Sequence, residues 1–327
     1  MQTHSLTHIV RRIALLVVLV LATGCAEEAA PDVSARSDAR AVAGTAKSLT
    51  EARRGFVSEP GGVQPAGEPI PQPPANLFRL VKYSSSRVGE LAAYLTPDPG
   101  DGAKHPAIVW ITGGDCNSVG DVWEPAPRAN DQTAAAYRMA GIVMMFPSLR
   151  GGNDNPGRRE GFLGEVDDVL AAAEYLAAQP YVDPGRIYLG GHSTGGTLVM
   201  LVAEMSDRFR AVFAFGPVAD VRGYGGQFVY HKPGIAQESI LRSPGYWLDS
   251  VRSPLFVIEG TDGNIDALQQ MQATCTNSLV RFVTVTGLDH FAVLAPANEA
   301  IAAEIVADVG PTMGINLSEQ KLKGRGR

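Results

Sequence analysis

Cysteine is scarce: the chain has three in 327 residues, with no CxxC pair. HExxH, a Walker loop and GxGxxG are all absent. Zinc, nucleotide and dinucleotide readings therefore lack support, and neither a metal nor a cofactor is expected. Positive charge is also short. Lys and Arg number 28 against 34 Asp and Glu, a net charge of −6, so there is no basic footprint for nucleic acid. Nor does the apolar run Ile13 to Ala22 approach the roughly 20 residues that cross a bilayer as a helix. What is plentiful is apolar residue (45%), glycine (36) and proline (22), which suits one sizeable globular domain with extra segments.

The N-terminus reads as a processing signal. Arg11 and Arg12 precede the short apolar run, which ends in Leu21-Ala22-Thr23-Gly24-Cys25. This stretch resembles a bacterial lipoprotein box. The resemblance implies a signal peptide over residues 1–24 and acylation of Cys25, which would tie the protein to the cell envelope as a membrane-anchored lipoprotein. Ala26 after the cysteine points to the outer membrane. Beyond Cys25 only Cys116 and Cys275 remain. The first is expected in a loop at one sheet edge and the second at the far end of a helix, roughly 15–20 Å of rise away. A disulfide needs Cα atoms within about 7 Å, so both thiols are expected to be unpaired.

Residues 25–75 are rich in Ala, Pro, Gly, Ser and Glu and close on "EPGGVQPAGEPIPQPP". That composition predicts a disordered tether with at most a short helix over Thr50 to Val57. From residue 76 to about 312 the pattern is that of a folded domain. Strands are expected at Leu77–Tyr83 and Glu90–Thr96. Alternating strands and helices follow, through "HPAIVWIT", "GIVMMFP", the acidic-headed helix Gly164–Gln179, "PLFVIEG" and Leu279–Thr286. Antiparallel opening strands followed by α/β alternation imply a mostly parallel, twisted sheet with helices on both faces. The tail 313–327 is polar and basic and is expected to be flexible.

One segment carries most of the chemistry. "RIYLGGHSTGG" sets Gly191-His192-Ser193-Thr194-Gly195, a G-x-S-x-G, between a β-prone run and a helix beginning near Thr197. A sharp strand-to-helix turn strains the central residue and lifts its hydroxyl clear of the sheet. Gly191 and Gly195 are required because a Cβ would collide with neighbouring backbone. The helix N-terminus adds unpaired N–H groups that suit an oxyanion.

Serine needs a base. Of the six histidines, His4 and His8 leave with the signal, His192 points elsewhere from the turn, His105 starts a strand at the opposite edge, and His231 reads as a solvated loop residue. His290 remains, in "VTGLDHFAVL", on the loop after the last strand. For the acid, Asp262 is the first carboxylate on the loop after "PLFVIEG" and is the expected partner. Glu259 lies within the strand, Asp266 suits a first helical turn, and Asp289 adjoins His290. Thr194 is the expected first oxyanion donor, with Gly114 or Asp115 of "GGDCN" as the second. Tyr224, Phe228, Tyr230, Tyr246 and Trp247 cluster in an irregular stretch, either as a substrate pocket or as anchors for a long loop.

These segments, in this order, resemble the catalytic domain of the prolyl oligopeptidase (S9) branch of the α/β-hydrolases. The marks are "PSLRGG", "YVDPGRIYLGGHSTGG" and "RSPGYWLDSVRSPLFVIEGTD". The resemblance implies an α/β-hydrolase fold and a catalytic Ser193, Asp262 and His290. The chain departs from the branch at Thr194, where an aromatic is common, at Glu259, where histidine is usual, and in an acid loop one residue short. The 25–75 segment has no room for a β-propeller, so no propeller domain is expected. The expected activity is a serine hydrolase acting on a small ester or peptide through an acyl-enzyme, either peptidase or esterase. The alternative is a non-catalytic lipid-anchored scaffold, which the complete serine, acid and histidine set disfavours.

Overall fold

The computed structural model describes residues 46–65 and 67–324. The expected signal peptide and Cys25 lie outside the described residues. Eight strands form one sheet in the order β1-β2-β4-β3-β5-β6-β7-β8. They span Arg79–Ser85 (β1), Gly89–Leu95 (β2), His105–Ile111 (β3), Val143–Pro147 (β4), Val182–His192 (β5), Val212–Phe215 (β6), Leu255–Gly260 (β7) and Val280–Val285 (β8). β2 runs antiparallel to both its neighbours, and every pairing from β4 to β8 is parallel. This is the α/β-hydrolase fold, with the mostly parallel sheet that the alternation of elements implied.

Both faces are covered, and the strands show why. In β3, Ala107, Val109 and Ile111 belong to one core cluster, while Ile108 and Trp110 belong to the other. A strand buried on both faces reads as a continuous apolar run rather than an alternation. The main helices are α1 (Leu49–Arg53), α2 (Ala135–Met139), α3 (Glu165–Ala177), α4 (Thr194–Met205), α5 (Ala236–Ile240), α6 (Ile265–Thr274), α7 (Leu294–Ala307) and α8 (Glu319–Leu322). Val166 and Val199, on α3 and α4, pack on one face; Tyr137 and Ile301, on α2 and α7, pack on the other. Helix α4 is buried at every residue from Thr194 to Glu204. It carries no polar stripe because no side of it meets water.

The segment expected to be a disordered tether is docked from residue 46 onward. Ser48 caps α1, its Oγ accepting from Glu51 N at 3.2 Å. Leu49 is fully buried, and its N–H donates to Ser250 Oγ at 3.0 Å. The Arg53 guanidinium donates to the carbonyls of Leu241, Leu163 and Phe162 at 2.7–3.1 Å. Further on, Pro60 bridges His231, Gln64 bonds both backbone groups of Arg159, and Pro71 O accepts from Tyr94 Oη. The strap holds because a few side chains satisfy loop carbonyls already present on the domain, so it needs little apolar surface of its own. The tail is likewise folded as far as residue 324: Ile315, Leu317 and Leu322 are buried, and Thr286 N donates to Glu319 Oε1 at 2.9 Å.

Candidate active site

Helix α4 follows β5 with a single residue between them, Ser193, whose φ of 56° and ψ of −115° lie where side chains rarely go. Such a backbone costs on the order of 1–3 kcal/mol and persists only where its surroundings enforce it. Here Ser193 N donates to Phe215 O at 2.8 Å, and Ser193 O accepts from Thr197 N at 2.9 Å. The flanking glycines are obligatory. A Cβ on Gly191 would sit 2.6 Å from Gly195 O, and one on Gly195 would sit 2.6 Å from Thr112 O. Thr194 opens α4, so its N–H is among the first-turn donors without an intrahelical acceptor.

His290 lies on the loop between β8 and α7, at the same edge of the sheet. Its Nδ1 donates to Glu259 Oε2 at 2.9 Å, and Glu259 Oε1 accepts from Gly260 N at 2.7 Å. The Glu259 side chain has no solvent exposure. With Nδ1 carrying the proton, Nε2 is left as the basic nitrogen of a neutral ring. Gly216 follows the strand residue that holds Ser193 and fits between the two elements. A Cβ there would run into the His290 ring and lie 2.6 Å from Glu259 Oε2.

Asp262 is therefore not the partner of His290. It is exposed, its N–H donates to Leu288 O at 3.0 Å, and among the described residues its carboxylate accepts only from Thr261 Oγ1, at 3.2 Å. Asp262 stands exposed on the turn after β7, while Glu259, with one more methylene than an aspartate, reaches the imidazole from inside the strand. The sequence carries a signal for it: Glu259 is a lone charged residue in the otherwise apolar run "PLFVIEG". Asp289 instead caps the N–H groups of Phe291 and Ala292, both at 2.8 Å. His231 is buried rather than solvated, with Nδ1 on Lys232 O at 3.1 Å.

The loop after β3 is brought against the serine. A Cβ on Gly113 would lie 3.3 Å from Ser193 Cβ, and Thr194 Oγ1 donates to Gly114 O at 2.8 Å. Asp115 is gripped by Arg159 through two bonds of 2.6 and 3.1 Å. Cys116 is buried close by; burial pushes its thiol pKa well up, so it stays protonated and is no rival nucleophile. Among the described residues neither Cys116 nor Cys275 is paired.

The five aromatics divide. Tyr224 Oη shares a 2.7 Å hydrogen bond with Thr197 Oγ1, one turn beyond Ser193, and its ring stacks on Phe162 and meets Phe228 edge-on. Tyr230 is buried behind the strap. Tyr246 and Trp247 serve the loop instead. Tyr246 Oη bonds Asp220 at 2.6 Å and Arg222 at 2.9 Å, and Trp247 Nε1 donates to Ile240 O at 2.9 Å. Phe162 was not foreseen, because its partner lies far off in the chain. Among the described residues no group of three or more His, Cys, Asp or Glu is placed to hold a metal ion. No helix there is long and apolar enough to cross a membrane.

The profile of the prolyl oligopeptidase family, Peptidase S9, matches residues 129–292, half of the chain. The chain belongs to the prolyl oligopeptidase family. Within the family it is 35% identical over 113 residues to a dual function macrocyclase-peptidase POPB of Galerina marginata, covering 30% of this chain and 16% of that protein. It is 28% identical over 201 residues to dipeptidyl-peptidase 5 of Porphyromonas gingivalis, covering 55% of this chain and 29% of that one. The chain thus spans under a third of the length of either relative. Among solved structures, the acylaminoacyl peptidase of Pyrococcus horikoshii superposes with a TM-score of 0.59 at 17% identity, over 75% of this chain and 44% of that one. At that identity the likeness speaks for the fold.

Proposed function

We propose that this member of the prolyl oligopeptidase family is a serine hydrolase cleaving peptide bonds, and esters of the same acyl groups, with Ser193, His290 and Glu259 as its triad. The observation that carries the reading is the hydrogen bond from His290 to the buried Glu259 at the sheet edge that also presents the strained Ser193. Family membership supports the peptide over the ester as the natural substrate.

In the proposed reaction, Ser193 Oγ attacks the substrate carbonyl carbon as His290 Nε2 takes the hydroxyl proton. The carbonyl π pair moves onto oxygen, where Thr194 N–H and an N–H of the loop Gly113–Asp115 receive the charge. Collapse expels the amine, which takes the proton back from Nε2, and leaves an ester on Ser193. Water then attacks that ester through the same base, releasing the acid and restoring the serine. Glu259 holds the ring in its Nδ1–H form throughout. The Ser193 hydroxyl is expected to come within hydrogen-bond reach of Nε2 as substrate binds, since such contacts often tighten only in the complex. The Tyr224, Phe228 and Phe162 cluster flanks α4 and supplies an apolar wall for the substrate side chain.

A fluorophosphonate probe tests the class. The wild type is expected to be labelled and Ser193→Ala not; equal labelling of the two would end the proposal. Aminoacyl and prolyl anilides, compared with p-nitrophenyl esters, then test the preference for amides.

A further inference from the structure

Residue His192 precedes the nucleophile, and its side chain leaves the turn on the side of the base. It is buried, and its ring centroid is 4.5 Å from that of His290, with the planes 39° apart. Its Nε2 lies 3.1 Å from the backbone oxygen of His290. A carbonyl only accepts, so Nε2 carries a proton and donates. The other nitrogen, Nδ1, lies 3.1 Å from Gln132 Oε1. A ring protonated at Nε2 can only accept at Nδ1, so the Gln132 amide is assigned the other way round, with its –NH2 in the Oε1 place facing the ring.

We propose that His192 is a positioning residue for the base: its Nε2–H holds the main-chain carbonyl of His290, and its ring face backs the imidazole. The proposal rests on the triad reading and adds a fourth member to it. His290 sits on a turn outside any strand or helix, between β8 and α7. Among the described residues its carbonyl receives no other hydrogen bond. The His192 bond therefore ties the base directly to the residue next to the nucleophile. One residue pair of the chain, 192 and 193, then sets both partners of the proton transfer, and a small shift at the turn is not free to separate them.

The ring must be neutral to serve. Burial, and then the proximity of His290, hold the His192 pKa down to about 3. When His290 becomes imidazolium during acylation, it has an uncharged ring beside it and the Glu259 carboxylate on Nδ1, and the carboxylate favours the cation.

Two variants of the full chain separate the hydrogen bond from the stacking. His192→Phe keeps an aromatic face and loses the donor; His192→Gln places an amide N–H near the Nε2 position and loses the ring. With a p-nitrophenyl ester, His192→Phe is expected to lose roughly tenfold in kcat, the effect of about one hydrogen bond, with KM unmoved. The rate of fluorophosphonate labelling should fall in step, and His192→Gln should restore most of both. Undiminished kcat in a folded His192→Phe, or a folded His192→Gln as slow as His192→Phe, overturns the proposal. If His192→Phe does not melt cooperatively, the Gln variant decides alone: near-wild-type kcat supports the proposal, and a folded but slow enzyme overturns it. A wild type labelled no better than Ser193→Ala would instead remove the hydrolase reading beneath it.

Discussion

Glu259 and His290 are joined across 2.9 Å by a bond that the rest of the site is shaped to protect. The second carboxylate oxygen is occupied by Gly260 N–H, and a Cβ on Gly216 would touch both side chains. Glu259→Gln preserves the shape and removes the charge that fixes the tautomer. Its kcat is expected to fall by roughly 10³–10⁴. The exposed Asp262→Asn should stay close to wild type. Steady-state hydrolysis by the two variants checks the assignment, and a reversal of their effects would return the acid to Asp262.

Gly216→Ala tests the same clearance from the opposite side. Its φ of 54° already disfavours a side chain, and the added methyl meets the His290 ring. The variant should fold with reduced stability and lose hydrolysis almost entirely. Circular dichroism melting beside the ester assay measures both effects.

Glu204 lies inside α4 with neither carboxylate oxygen hydrogen-bonded. Burial raises its pKa well above the usual carboxylate value, opposed by Arg53. Above pH about 4.5 the unfolded chain releases this proton and the native protein keeps it. The native state then binds more protons, so stability falls as pH rises, by at most roughly 1.4 kcal/mol per pH unit. Glu204→Gln should match the wild type near pH 4 and exceed it increasingly toward pH 8. Urea denaturation at a series of pH values reads this directly.

The strap is a stabilising element. Leu49 is fully buried against the domain. Leu49→Ala is expected to cost about 2–5 kcal/mol, the range for emptying a buried leucine site. A change under about 0.5 kcal/mol in denaturant titration would mean that the strap contributes nothing.

Acylation of Cys25 remains a proposal about residues outside those described. Growth with radiolabelled fatty acid should mark the protein and partition it to membranes. Cys25→Ser should lose both while hydrolysis of a soluble ester is unchanged.

Much of this was legible in the chain. The apolar strands, the alternation and G-x-S-x-G placed the fold and Ser193, and elimination among few histidines reached His290. These signals are local: periodicity, turn chemistry and an edge. Glu259 is the harder residue to read, because a carboxylate within a strand looks walled into the sheet. The rule fails for the last positions of a strand, where a long side chain reaches over the edge. Arg53 and Gln64 were invisible for another reason. Their partners are carbonyls of Leu241 and Arg159, and a backbone acceptor has no sequence signature.

By itself, then, the order of residues determined the parallel sheet, the strained serine and the histidine that follows the last strand, because each is announced by a local pattern of apolar runs and turn residues. Tertiary structure alone decided which carboxylate faces His290, that His192 turns toward it, and that residues 46–65 lie on the domain. Those outcomes depend on how segments far apart in the chain meet, and on the lengths of the side chains that span the gap.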